Sequence, residues 1–175
     1  MANYRRAYEK GATYFFTVNL KNRNSTLLTD NISLLTNAFR LVAKSYPFQT
    51  DALVVLPEHL HAVITLPDND CDFSIRWRYI KGEFTRSINY EPHITTANKL
   101  RRERGIWQKR FWEHKIRDQR DYNNHINYCY YNPVKHGYVS QVKDWKYSTF
   151  HRDVKRGLFT KKWASNKKFA GGFGE

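Results

Sequence analysis

Two histidines separated by one residue, His59 and His61 in LPEHLHAV (56–63), sit inside an otherwise apolar run. On a strand, side chains at i and i+2 share a face, so these imidazoles would stand with Cβ atoms roughly 7 Å apart, both within reach of one cation. Leu60 would point the other way. A strand histidine pair can also be two satisfied half-buried side chains, and two imidazoles do not complete a metal site. A third donor and a nucleophile could arrive together on NNHINYCYYNPVKHG (123–137), where Tyr128 and Asn132 are four residues apart, one helical turn, and hence on one face. His125 borders that face and is the alternative third ligand. A tyrosine hydroxyl, with a reference pKa near 10, is a weak nucleophile at neutral pH and needs its charge stabilised. A bound cation would do this. The plainer reading of Tyr128, Tyr130 and Tyr131 is an aromatic stripe packed on a sheet, although on a helix the three cannot all face the same way.

The elements that would position these residues follow from hydrophobic period and turn chemistry. ATYFFTVNL (12–20) is β-branched and aromatic, and KNRNS after it is a turn. From Asp30, the apolar residues Ile32, Leu34, Leu35, Ala38, Phe39, Leu41 and Val42 recur at helical spacing; Thr29 or Asp30 is the expected cap, and Pro47 closes the stretch. FQTDALVVL (48–56) and HLHAVITL (59–66) are split only by Pro57-Glu58, which forces an antiparallel hairpin. A second helix is expected over 74–88, capped by Asp72 or Ser74, with Ile75, Tyr79, Ile80, Phe84 and Ile88 on its inner face. Residues 91–105 read as a loop and 110–117 as a fourth strand; Asp118 caps a last long helix stopped near Pro133 and by Gly137. The order β-α-β-β-α-β-α is α+β, the ferredoxin-like split βαβ antiparallel sheet with an additional C-terminal helix, the one that carries Tyr128. Residues 1–142 are expected to form the domain and 143–175 a basic aromatic tail packed on that domain.

Composition narrows the partner. Lys and Arg number 30 against 16 Asp and Glu, for a net charge of +14 and a pI near 9.8. The excess is uneven: residues 1–100 carry 12 basic and 9 acidic side chains, residues 101–175 carry 18 and 7. With five Trp and 12 Tyr alongside, a polyanion whose bases can stack is the partner such a surface fits, namely nucleic acid. Arg5, Arg6, Arg101, Arg102, Arg104, Lys109 and Arg110, with Trp107 and Trp112 among them, are the candidate contacts, and the tail 143–175 is expected to contact the nucleic acid as well. Cys71 and Cys129 have no metal or disulfide spacing. The N-terminus lacks an apolar leader and no run approaches roughly 18 apolar residues, so a cytoplasmic, non-membrane protein is expected.

HLH within LPEHLHAV resembles the His-hydrophobe-His motif of the single-tyrosine HUH endonucleases, and NYCYYNPVKHG resembles their catalytic tyrosine helix. NYRRAYEKGATYFFTVNL, IWQKRFWEHKIRDQRDY and DWKYSTFHRDVKRGL narrow the resemblance to the REP-associated tyrosine transposases, relatives of the IS200-type transposases, over nearly the whole chain from Tyr4 to about Trp163. The resemblance implies His59, His61 and Asn132 as ligands of a divalent metal, Mg²⁺ or Mn²⁺ in use, and Tyr128 as the nucleophile. It implies a single-strand DNA endonuclease and strand transferase that acts on REP-type hairpins through a covalent 5′-phosphotyrosine, and a monomer rather than a homodimer. Pro133 is expected to pull the Asn132 backbone away from helical geometry. Glu58 is expected to be a turn residue, His114 a surface side chain and His136 a helix cap. Two other readings fit the residues: a non-catalytic single-strand-binding module on the same sheet, and a metal-dependent nuclease that activates water.

Overall fold

The computed structural model describes residues 8–89 and 105–165. Four strands, β1 (Thr13–Asn19), β2 (Gln49–Val55), β3 (His59–Thr65) and β4 (Trp112–Lys115), form one antiparallel sheet in the order β2-β3-β1-β4. That order, with β1 and β3 central, is the split βαβ arrangement expected from the element sequence. Helices α2 (Ile32–Ser45) and α3 (Phe73–Ser87) cover one face, and α4 (Gln119–Lys135) covers the other.

Because both faces are covered, alternate residues of each central strand enter different cores. Tyr14, Phe16 and Val18 of β1 and Leu60, Ala62 and Ile64 of β3 pack beneath α2 and α3 around Trp77 and Phe84. Phe15 and Val63 face α4 instead, packing with Ile126, Cys129 and Tyr130. His59 and His61 share the parity of Val63, so the pleat carries both histidines to the α4 side. The register pairs His61 with Thr17, and Thr17 in turn with Trp112 on β4.

Several element ends differ from expectation. A short helix α1 (Leu27–Asp30) precedes α2, so Asp30 ends one helix while Asn31, rather than Thr29 or Asp30, occupies the N-cap position of the next, without a side-chain capping bond. Leu41 is exposed because it falls outside the stripe of Leu35, Ala38, Phe39 and Val42. Asp72 and Asp118 cap α3 and α4 by accepting from Ile75 N and Asp121 N at 2.9 and 2.8 Å. β4 is only four residues long and pairs with β1 alone at the sheet edge.

Helix α4 runs through Pro133 and ends at Lys135, between Pro133 and Gly137 as expected. A proline within a helix removes one donor. Packing of Ile126, Cys129 and Tyr130 on the sheet and of Val134 at its margin keeps the backbone helical across that point. The helix closes where His136 N donates to Asn132 O and Gly137, at φ +74°, takes the left-handed conformation that favours glycine.

Beyond α4, a 3₁₀ turn (Val142–Asp144) and a short helix α5 (Phe150–Lys155) lie along the outer edge of β2. Val55 N donates to Tyr147 O at 2.9 Å and Leu53 N to Thr149 Oγ1 at 2.8 Å, while Thr149 N donates back to Leu53 O at 2.9 Å. Trp145 Nε1 donates to Val55 O, and Arg152 Nη1 to Thr50 O. These bonds occupy the backbone groups that an open edge strand would expose. Val142 and Phe150 enter the α4-side core.

Candidate metal and tyrosine site

The site begins at the hairpin, where Pro57-Glu58 delivers the chain into β3. His61 is fully buried, with Nδ1 2.9 Å from Thr17 Oγ1, its partner across the sheet. His59 is equally enclosed, with Nδ1 2.8 Å from Glu58 Oε1. The two rings meet edge to face, 4.9 Å between centroids. With each Nδ1 engaged by an oxygen, Nε2 is the nitrogen each ring presents to a ligand, as in carboxylate–histidine–metal groupings. His59 Nε2 is buried and has no hydrogen-bond partner among the described residues, which suits a ligating nitrogen.

Helix α4 crosses β3 in the opposite direction. Tyr128 lies over His61 at 5.3 Å and His136 over His59 at 5.3 Å, both edge to face. Asn132 is one turn from each along the same face and is wholly buried. The helix therefore aligns Tyr128, Asn132 and His136 along the histidine pair. Pro133 does not displace Asn132, whose backbone remains helical.

The three tyrosines separate by contact. Tyr128, buried against Phe15 and His61, accepts a hydrogen bond from Lys135 Nζ at 3.1 Å, and that ammonium sits 5.0 Å from its ring centroid. Tyr130 faces away and donates to Asp153; burial first, then that bond to a carboxylate, pushes its hydroxyl pKa up, the signature of a structural tyrosine. Tyr131 packs at the margin of the α4-side core. Only Tyr128 of the three meets the histidines among these contacts.

Glu58 does more than turn the chain. Besides His59, it has Arg23 Nη2 at 3.6 Å and accepts from Tyr138 Oη at 3.4 Å. Burial would raise its pKa, but the bond to His59 and the charges of His59 and Arg23 outweigh this and lower it.

A second titratable group lies one turn before Tyr128. His114 Nε2 is 2.8 Å from Asp121 Oδ2, and His125 Nδ1 is 2.8 Å from Asp121 O and 3.1 Å from Oδ1. Their ligand atoms are close enough to hold an ion. Arg117, whose Nε lies 3.2 Å from the same carboxylate, already supplies positive charge there and works against a cation. His125 is thus engaged by its own helix turn, whereas Asn132 lies along the histidine pair.

Of the expected polyanion contacts, Arg5, Arg6, Arg101, Arg102 and Arg104 lie outside the described residues. Lys109 and Arg110 are exposed. Trp107 packs on Phe84, and its Nε1 donates to Thr85 Oγ1 at 3.1 Å, so its ring is engaged by α3. Trp112 is 37% exposed, stacks on His114 and meets Phe15 edge-on, which leaves an aromatic surface beside the site.

Thr17, Lys135 and the packing role of His136 escaped sequence reasoning. Thr17 is visible only once the strand register is known. Lys135 follows Tyr128 by seven residues, two turns, and that spacing was a readable signal.

A split βαβ sheet with a buried histidine pair beneath a tyrosine-bearing helix defines an α+β class in which strand and helix build one site. No family model matches the chain. It is 51% identical over 166 residues to the REP-associated tyrosine transposase of Escherichia coli strain K12, covering 95% of this chain and 93% of that protein. A Haemophilus influenzae relative assigned to the same family is 49% identical over 167 residues, 95% of each chain. A solved structure of a REP-associated tyrosine transposase bound to a REP hairpin superposes with a TM-score of 0.83 at 49% identity, covering 99% of this chain and 98% of that one. The chain belongs to the REP-associated tyrosine transposases, an enzyme family.

Proposed function

We propose that the chain is a metal-dependent single-strand DNA endonuclease and strand transferase that acts on REP-type hairpins, with Tyr128 as the nucleophile. The observation that carries this reading is the contact of Tyr128 with His61, 5.3 Å between rings, on a helix whose next two turns bring Asn132 and His136 along the histidine pair. The hairpin-bound relative supports the substrate class, as does the net charge of +14.

His59 and His61 through Nε2, with the Asn132 side-chain amide, would hold a divalent cation, and mixed nitrogen and oxygen donors suit Mg²⁺ or Mn²⁺. Such an ion, when bound, neutralises charge on the scissile phosphate. The protein's own groups do the rest. Glu58 and Thr17 fix the imidazole orientations, and the packing of Tyr128 against Phe15 restricts the motion of its ring beside the histidine pair. Attack by the Tyr128 oxygen forms the bond to phosphorus and releases a 3′ hydroxyl, leaving the 5′ phosphate on tyrosine. The covalent bond preserves the energy of the phosphodiester, so rejoining needs no nucleotide cofactor.

Incubation with a labelled hairpin carrying single-stranded flanks and Mn²⁺, followed by a denaturing gel, tests the reading. Label at the protein's mass is expected for the wild type and lost in Tyr128→Phe, with hairpin binding retained. Cleavage without any adduct would indicate water as the nucleophile, and binding without cleavage a recognition module; either rules the proposal out.

A further inference from the structure

We propose that Lys135 is a catalytic residue that stabilises negative charge on the Tyr128 oxygen, both as it attacks in cleavage and as it leaves in rejoining. This rests on Tyr128 being the nucleophile. Lys135 Nζ donates to Tyr128 Oη at 3.1 Å, so the ammonium touches the atom that would bond phosphorus. The contact is built by one element, since α4 continues unbroken through Pro133 and places the two residues two turns apart on one stripe. Lys135 is an exposed residue, and a solvated ammonium has every reason to point outward. Its Nζ instead turns back onto a phenol that is 6% exposed.

The chemistry gives that contact its value. In cleavage, the Tyr128 oxygen forms a bond to phosphorus and the bond from phosphorus to O3′ breaks. The phenol proton passes to water, and the 3′ oxygen takes one from water. Rejoining reverses this: the 3′ hydroxyl loses its proton to water and bonds phosphorus, and the phosphorus–tyrosine bond breaks. The departing phenolate then takes a proton from water. Lys135 keeps its own protons throughout and supplies a fixed positive donor where oxygen charge is greatest in both directions.

The test measures single-turnover cleavage of the labelled hairpin with Mn²⁺ and, separately, rejoining by isolated adduct given a 3′-hydroxyl strand. Lys135→Met is expected to slow both steps about 10- to 100-fold, at or below the loss typical of removing one preorganised donor, because an exposed ammonium is partly screened. Hairpin affinity should stay unchanged, and Lys135→Arg should recover most of the rate. 3-Fluorotyrosine at position 128, which draws charge off the oxygen, should speed rejoining by Lys135→Met more than by the wild type. Lys135→Gln serves if the methionine variant does not fold. Rates within about twofold of the wild type would overturn the proposal. So would a slow methionine variant that neither arginine nor fluorotyrosine rescues, since that marks packing alone. Adducts that persist in Tyr128→Phe would overturn it together with the nucleophile assignment, whereas adducts lost in Tyr128→Phe but normal in Lys135→Met would overturn the role of Lys135 alone.

Discussion

At the scale of single residues, the site depends on what holds each imidazole. Glu58 fixes His59 through Nδ1 and Thr17 fixes His61, so the Nε2 atoms proposed as metal ligands are oriented by the protein itself. Glu58→Gln, which removes the charge while keeping the shape, is expected to weaken Mn²⁺ binding about 10- to 100-fold in a calorimetric titration; unchanged affinity would place the metal elsewhere. Asp121 acts on stability instead. Burial would raise its pKa, but hydrogen bonds from His114 and Arg117 outweigh that and bring it from 3.8 to about 2. A depressed folded-state pKa contributes stability that is present above about pH 4 and lost as pH falls toward 2, on the order of 2 kcal/mol. Melting temperature followed across that window should drop less steeply in Asp121→Asn than in the wild type. The histidine spacing and the Tyr128–Asn132 turn were legible because strand and helix periods are local. The roles of Thr17 and His136 were not, since both depend on which residues the tertiary register sets opposite each other.

At the scale of elements, the sheet fixes two of the participants and α4 the others. Hydrophobic period and turn chemistry identified the strands, the long helices and the end of α4 between Pro133 and Gly137, but they could not tell that the Asn132 backbone would stay helical before Pro133, because packing against the sheet decides that rather than propensity. The segment after residue 142 was legible as a basic aromatic tail packed on the domain, but not the manner of its packing: Tyr147, Thr149 and Arg152 bond along the β2 edge and Phe150 is wholly buried. Phe150→Ala is expected to destabilise the fold by about 3–5 kcal/mol in a denaturant titration. A loss below about 1 kcal/mol would mean that the edge cover is dispensable.

At the scale of the whole molecule, His59, His61 and Tyr128 come together within one chain through α4 packing on its own sheet. A self-contained site is expected to act as a monomer, so mixing Tyr128→Phe with a His59→Ala, His61→Ala variant should restore no adduct; recovered activity would reveal an exchanged tyrosine helix. The charge of +14 predicts that hairpin affinity falls steeply and linearly on logarithmic axes of salt concentration. No helix among the described residues is long and apolar enough to cross a membrane.

The central assignment is Tyr128 as the atom-bearing nucleophile, and mass spectrometry of the proteolysed protein–DNA adduct tests it most directly. The expected result is a single peptide spanning Tyr128 that carries a nucleotide through its 5′ phosphate; a nucleotide on any other residue, or cleaved DNA accumulating with no modified peptide, would contradict it.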